Sequence, residues 1–211
     1  MPTESAQQAL AILRDGSQFQ WYLIPLLALL FYVYAIEIEA RRWNVVFAGL
    51  AFWGVDWFNE IWNGLVFHVT QFAPVWAAPG DTAFLLLIGL NVEICFMFAI
   101  AGVVFSKILP RDTSLRIFGM PNRLVLGLAG SIFCVIVELW LNSVGALTWD
   151  YAWWNARVPW LIVPFGYLHF FLVAFWVHDM GDLRRQARTV GGIFAFDAIC
   201  LVVFGAALGW I

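Results

Sequence analysis

Six long apolar stretches determine what this chain can fold into. They cover residues 19–38, 43–69, 82–109, 122–144, 159–177 and 190–211. An α-helix needs about 20 apolar residues to cross the hydrocarbon core of a bilayer, and the short alternating segments of an outer-membrane barrel do not occur. Charged residues make up only 12% of the chain. The sequence therefore predicts an all-α, polytopic membrane helical bundle with about six transmembrane helices.

The remaining segments are short, which predicts a single transmembrane domain over residues 1–211. Residues 1–18 form a short N-terminal arm, either amphipathic or frayed, that is too polar for a signal peptide. The three cysteines fall within the predicted spans, where they are expected to be small packing residues. The net charge of −3, with no basic block, excludes nucleic-acid binding.

The distribution of basic residues predicts the orientation of the bundle. Of the 11 Lys and Arg residues, nine lie in the connections after the first, third and fifth stretches or in the flanks of those connections, and only Arg14 and Arg157 lie on the other side. Because basic residues collect on the cytoplasmic side, both termini and the loops 70–81 and 145–158 are predicted outside. The expected location is the plasma or inner membrane.

Several carboxyl groups lie inside the predicted spans and are the candidate catalytic residues. They are Asp56, Glu60, Glu93, Glu138 and Asp197. A charged side chain at the bilayer centre costs roughly 2.5–3.5 kcal/mol on insertion scales, and such residues usually serve a function. These acids are therefore expected to face the bundle interior and to surround one polar pocket. The alternative for any one of them is a hydrogen bond that holds two helices together.

Helical spacing adds candidate substrate-binding residues. Trp53 and Asn63 share a helix face with Asp56 and Glu60, and Asn142 lies one turn beyond Glu138. The full set expected to contact a substrate is Trp53, Trp57, Asn63, Asn142, Trp149, Trp153 and His169. The aromatic loop 148–155 is either a lid over the pocket or part of an interfacial belt. His169 has the alternative of a core histidine.

Acid catalysis on a lipophilic substrate is the chemistry that these residue types favour. The chain lacks a P-loop, a dinucleotide fingerprint, a nucleophile elbow and the many histidines of membrane oxygenases, so neither a cofactor nor a metal is expected. The alternative is a single metal held by carboxylates and His169, for which the chain has no ligand-spacing motif. A protonated, buried Glu can donate a proton to an alkene or an epoxide. Aromatic faces can then stabilise the resulting cation.

Three segments resemble the integral-membrane terpene cyclases of fungal meroterpenoid and indole-diterpene pathways. They are FWGVDWFNE at 52–60, LIGLNVEICFM at 87–97 and AFDAIC at 195–200. The resemblance implies a metal-independent cyclase of isoprenoid-like chains, with Glu60 and Asp197 as its two acids.

Two other functions stay open from the sequence. The acids are spread over several depths, as in a proton- or cation-coupled transporter or channel. The small size and the lack of a strong motif also suit a non-catalytic subunit that binds a lipid or a pigment. The expected partners are a lipophilic small molecule and membrane lipid, and the sequence does not determine the oligomeric state.

Overall fold

The computed structural model describes residues 1–211 apart from the side chain of Gln18, and 66% of the chain is helical. The α-helices are α1 Glu4–Ile12, α2 Leu23–Glu39, α3 Trp43–Thr70, α4 Val92–Lys107, α5 Asn122–Ser143, α6 Pro159–Ile162, α7 His169–His178 and α8 Leu183–Cys200. A π-helical segment, Val163–Leu168, joins α6 to α7, and another, Leu201–Ala207, extends α8. Gly16–Gln18 forms one 3-10 turn. Two short antiparallel hairpins pair β1 Leu85–Leu87 with β2 Leu90–Asn91, and β3 Arg116–Ile117 with β4 Met120–Pro121.

Among the described residues, three helical units are both long and apolar enough to cross a membrane. They are Asn122–Ser143, Pro159–His178 and Leu183–Ala207. With 17 and 16 residues, α2 and α4 are only about 24–26 Å long, less than the ~30 Å core of a bilayer. The predicted helical bundle is thus confirmed as a helical fold with three candidate spans, and the count of six stays a prediction.

The expected single helix over 82–109 is wrong in its first ten residues. Leu85 and Leu90 are fully buried there, but in the β1–β2 hairpin. The Asn91 side chain accepts a hydrogen bond from the Ile94 amide at 2.8 Å and so caps α4, which begins at Val92. An apolar run that is buried looks the same in a strand and in a helix, which is why the sequence did not predict the hairpin.

The long helix α3 is the centre of the bundle and packs against α2, α4, α7 and α8. The contact with α4 is close because Gly49 and Gly102 face each other; a Cβ on Gly102 would lie 2.9 Å from the Gly49 Cα. On the other side, α5 packs on the π segment and on α7, where Gly130 lies against the Phe171 ring. The α6–α7 unit therefore contacts both α4 and α5, which also meet each other at the Phe105 and Phe133 rings.

The two ends of the bundle are held by different interactions. At the basic end, the buried Glu37 carboxylate contacts Arg42 at 2.6 Å and Lys107 at 2.7 Å. Nearby, partial burial raises the pKa of Asp179, but hydrogen bonds from Arg123 and His178 hold that pKa below its usual range. Two ion clusters thus fix the end that carries most of the basic residues.

At the opposite end, which we call the N-terminal end, the arm is ordered rather than frayed. The Thr3 amide donates to the Phe72 carbonyl and the Arg14 amide donates to the Leu85 carbonyl, both at 2.9 Å. The Thr3 hydroxyl also donates to the Asp150 carboxylate at 2.9 Å. These bonds tie the arm to the loop after α3, to strand β1 and to the aromatic loop.

Candidate functional site

A cavity of about 480 Å³ lies between α3, α4, α5 and the α6–α7 unit. We call it the acid cavity, because its lining includes the side chains of Asp56, Glu60, Asp81, Glu93 and Glu138. No Lys, Arg or His belongs to that lining in the part of the chain that the structure describes. Four of the five catalytic candidates from the sequence thus border one cavity; whether they catalyse a reaction stays a prediction.

Glu60 is held in place by a loop tryptophan. The Trp76 indole N–H donates to Glu60 Oε1 at 2.7 Å, whereas Glu60 Oε2 is buried without a hydrogen-bond partner. The residue is only 4% exposed. One oxygen atom is therefore fixed, and the other keeps an unused capacity to accept a hydrogen bond.

Asp56 and Glu138 also present free carboxyl oxygens. Asp56 lies one turn before Glu60 on α3 and is 2% exposed, and its Oδ2 atom has no partner. Glu138, on α5 across the cavity, lies beside the Tyr167 hydroxyl, and its Oε2 atom is likewise unpartnered. Buried polar groups normally find a partner. Three carboxyl oxygen atoms with unused hydrogen-bonding capacity thus lie around one cavity.

Aromatic rings form much of the remaining wall. Phe98 lies between Tyr167 and Phe170, with ring centroids 6.1 Å and 5.5 Å away, and Trp154 lies 6.3 Å from Trp76. All five rings border the cavity. The faces of such rings attract a positive charge and do so more strongly when water is excluded. The wall therefore suits an apolar molecule that carries or develops a positive charge.

The π segment brings part of this wall into position. Pro164 has no amide hydrogen to donate, and the helix widens into π geometry over Val163–Leu168. Within this segment, Gly166 lies against Trp154: a Cβ there would be 3.2 Å from the indole Cζ2 atom. The next residue, Tyr167, is thereby directed toward the cavity and Glu138.

Glu93 lies at the rim, and both of its oxygen atoms are occupied. Oε2 accepts from the Thr82 hydroxyl at 2.5 Å, and Oε1 accepts from the Ala83 amide at 2.7 Å and from the Tyr22 hydroxyl. This acid is in the first turn of α4, where a negative charge is favourable. The structure therefore gives Glu93 a role in joining α2, α4 and the loop before β1.

Asp197 does not belong to the cavity lining that the structure describes, although it lies near Asp56. Its carboxylate is 3% exposed and faces α3, with Oδ2 3.8 Å from a Cβ built on Gly54. Both of its oxygen atoms lack a partner. Asp197 is thus a buried acid on the far side of α3 from Glu138.

Of the predicted contact residues on α3, Asn63 is bound to the protein itself. It is fully buried, its Oδ1 atom accepts from the Val75 and Trp76 amides at 2.7 Å and 3.2 Å, and its Nδ2 atom donates to the Trp76 carbonyl at 2.7 Å. Asn63 therefore positions the loop that bears Trp76. Trp53 donates to the Cys95 sulfur at 3.2 Å, and Trp57 packs with the same cluster away from the cavity.

The other predicted contact residues also lie outside the described lining of the cavity. Asn142 donates to the Leu147 carbonyl at 3.0 Å and closes the loop after α5. The Nε2 atom of His169 lies 3.1 Å from Asn59 Oδ1. Trp149 packs against the core beneath the loop, and Trp153 is half exposed. From the aromatic loop, Trp154 is the tryptophan that reaches the cavity.

Sequence reasoning did not select Trp76, Trp154 or Tyr167 as site residues. Trp154 belongs to the aromatic loop 148–155, but nothing in the sequence distinguishes it from the other tryptophans of that loop. Trp76 reaches Glu60 from a loop that Asn63 fixes, and Tyr167 depends on the π segment. Helical spacing within one span carries no signal for either contact. No group of three or more His, Cys, Asp or Glu residues is arranged to hold a metal ion within the described side chains.

The comparisons with known proteins give the family. The sequence model of an uncharacterized membrane protein family matches residues 3–206. The chain belongs to that family. Family membership, together with the three apolar helices, supports a membrane location, and the choice of a particular membrane stays a prediction.

Two relatives of the chain are uncharacterized proteins of Archaeoglobus fulgidus. One is 56% identical over 211 residues, which is 100% of both chains. Another is 54% identical over 54 residues, covering 26% of this chain and 96% of the relative. No solved structure matches the chain.

The resemblance to integral-membrane terpene cyclases is wrong. The family that matches nearly the whole chain is a different one, and no terpene cyclase family matches. The three segments that carried the resemblance are short and rich in Trp, Phe and Ile, a composition that is common in membrane helices. The roles that this resemblance implied for Glu60 and Asp197 lose that support, and the case for Glu60 now depends on the geometry of the acid cavity.

Proposed function

We propose that this family member is a membrane-embedded enzyme that performs acid–base chemistry on a lipophilic substrate. The observation that carries the proposal is the meeting of three acids with free oxygen atoms, Asp56, Glu60 and Glu138, at one aromatic cavity. Acids buried in a membrane bundle are costly. A pair of carboxyl groups can, however, exchange a proton with a substrate without any cofactor.

The proposed reaction is an isomerisation or a cyclisation of an unsaturated or epoxidised chain. The protonated Glu60 donates its proton to a carbon–carbon double bond or an epoxide oxygen, which leaves a cation on the substrate. The ring faces of Phe98, Phe170 and Trp154 stabilise that cation. Glu138, in its ionised form, then removes a proton from the neighbouring carbon, so that the substrate gains and loses one proton and no oxidant is needed. Return of that proton from Glu138 to Glu60 completes the cycle.

Exclusion of water is central to this scheme, because water would add to the cation. Most of the cavity wall is apolar, and Trp76 keeps Glu60 in a fixed orientation by its hydrogen bond. Fixed dipoles and charges act more strongly in such a medium than in water.

Proton transfer can be tested by isotope incorporation. Protein purified with its native lipids is analysed by mass spectrometry to identify the bound lipophile, which is then incubated with fresh protein in heavy water. If the lipophile is an alkene, we expect deuterium to enter the product carbon, whereas an epoxide takes the proton on oxygen and is followed by its turnover alone. Glu60→Gln keeps the acceptor for Trp76 but removes the acidic proton, and we expect turnover to fall roughly 100-fold or more.

The matched control is Glu39→Gln, which changes an exposed acid at the basic end. It should leave turnover unchanged. Full turnover by Glu60→Gln, or an alkene-derived product free of carbon-bound deuterium, would show that this carboxyl does not transfer the proton.

A second function is favoured by Asp197. Asp197 lies on the far side of α3 and close to Asp56. It therefore extends the row of carboxyl groups beyond the cavity. Such a row suits a proton pathway. Protein in liposomes should then dissipate a pH gradient, and Asp197→Asn should stop this proton flux. Liposomes that contain the wild-type protein and still hold their pH gradient would exclude the proton pathway.

A further inference from the structure

The acid cavity has a gap in its wall between α4 and α5. α4 packs mainly on α2 and α3, and α5 packs on the α6–α7 unit. α4 and α5 meet at the Phe105 and Phe133 rings, whose centroids lie 6.1 Å apart. Met97, Phe133 and Trp140 line the cavity, yet they are 55%, 57% and 63% exposed. Side chains that border an internal cavity and are also more than half exposed mark an opening.

The opening faces lipid rather than water. Its border is apolar on both helices: Met97 and Ala101 from α4, and Val137 and Trp140 from α5. The contact between the Phe105 and Phe133 rings bounds it toward the basic end. α5 is one of the three helices with the length and hydropathy of a membrane span, and most of its surface is not buried within the protein. An apolar opening in the side of a spanning helix bundle adjoins the acyl chains of the bilayer.

We propose that the acid cavity takes its ligand sideways from the bilayer through this gap, and that the ligand is an uncharged or amine-bearing single-chain lipid. We call the gap the lateral port. This inference rests on the proposed function in that it names the substrate class of the same cavity.

The charge of the cavity determines which headgroup the lipid ligand can carry. Its described lining holds several carboxyl groups and no cation, so a phosphate or diphosphate group would meet like charges and find no Arg or Lys to bind it. A hydroxyl or carbonyl group can hydrogen-bond a protonated acid, and an amine can pair with an ionised one. The free oxygen atoms of Glu60 and Glu138 are the groups available for either contact.

The size and the apolar walls of the cavity determine which hydrocarbon tail the lipid ligand can have. About 480 Å³ falls within the ~300–1,000 Å³ of small-molecule sites, in which apolar walls and a few polar groups are usual. A single hydrocarbon or isoprenoid chain can lie along the aromatic wall with its end in the port. The ligand would then leave the bilayer without passing through water.

Photo-crosslinking tests the port and the headgroup together. Three probes share one long diazirine-bearing alkyl chain and end in an alcohol, an amine or a phosphate, and each is incorporated into nanodiscs with the full-length protein. Peptide mass spectrometry then locates the labelled residues. We expect the alcohol and amine probes to label side chains of the cavity, and the phosphate probe to label only the outer surface of the helices.

Two matched pairs of variants separate the port from general effects of a bulky side chain. On α4, Ala101→Trp fills the port, and Val104→Trp adds the same side chain at an exposed position outside the described lining. On α5, Val137→Trp and the lipid-facing Ile136→Trp form a second pair. If one variant fails to fold, the pair on the other helix decides.

Both port variants should lower cavity labelling at least about tenfold, or ~1.4 kcal/mol in binding free energy, and both controls should leave it unchanged. Equal labelling of the cavity by the phosphate probe would overturn the headgroup assignment, and unchanged labelling in both port variants would overturn the port. If the probes label the cavity of the wild-type protein and the Glu60→Gln variant nevertheless keeps full turnover, only the proposed catalysis is refuted.

Discussion

Replacement of Asn63 by alanine should destabilise the protein more than an ordinary Asn→Ala change. Its fully buried amide makes hydrogen bonds to three backbone groups of Val75 and Trp76, at 2.7 Å, 3.2 Å and 2.7 Å. A buried polar group left without its partner costs about 1–3 kcal/mol, so three such groups predict a loss of at least ~3 kcal/mol in the free energy of unfolding. Asn142→Ala removes one bond in a partly exposed loop and should cost only about 1 kcal/mol.

Reversible unfolding of both variants by SDS in mixed micelles measures this difference. Because Asn63 also fixes the loop that carries Trp76, Asn63→Ala should release the indole from Glu60 and reduce the amount of co-purified lipophile. Free energies of unfolding for the two variants that agree within about 0.5 kcal/mol would refute the reasoning. A loss of bound lipophile at unchanged stability would instead give Asn63 the direct substrate contact that the sequence suggested.

Two further predictions concern packing and charge. Gly89→Ala would place a Cβ 2.6 Å from the indole that donates to Glu60, and we expect a loss of about 1–3 kcal/mol in stability; Gly191→Ala, with no atom within 4 Å of the new Cβ, should not lower the thermal midpoint. At the basic end, Arg42→Gln with Lys107→Gln leaves the buried Glu37 unpaired and should cost about 3–5 kcal/mol. Adding Glu37→Gln to that double variant should restore much of the loss, and SDS unfolding that shows no recovery would contradict this account of the ion cluster.

The sequence predicted the long helices because a long apolar stretch is itself the signal for such a helix. α3 and α5 begin at the predicted residues, and their ends differ from the prediction by one residue. The segment before α4 was mispredicted because the buried Leu85 and Leu90 give the same apolar signal in a hairpin as in a helix. The two π-helical segments were not predicted, because their geometry depends on tertiary packing and not on the apolar pattern of the sequence.

The site could be predicted only as far as a single helix determines it. Asp56 and Glu60 are four residues apart on α3, and both do face the cavity. Trp53 shares their helical face by spacing, but it contacts α4 and α8, because four neighbouring helices divide the surface of α3. The partner of Glu60, Trp76, comes from a loop whose path depends on tertiary hydrogen bonds, so no periodicity in the sequence indicates it.

The most direct test of the central claim is an experimental structure of the protein in nanodiscs made with its native lipids. We expect an elongated density inside the bundle that contacts the Glu60 and Glu138 carboxyl groups and reaches the bilayer between α4 and α5. A continuous water-filled passage to both ends of the bundle, or side chains of α4 and α5 closed over an empty interior, would contradict the account.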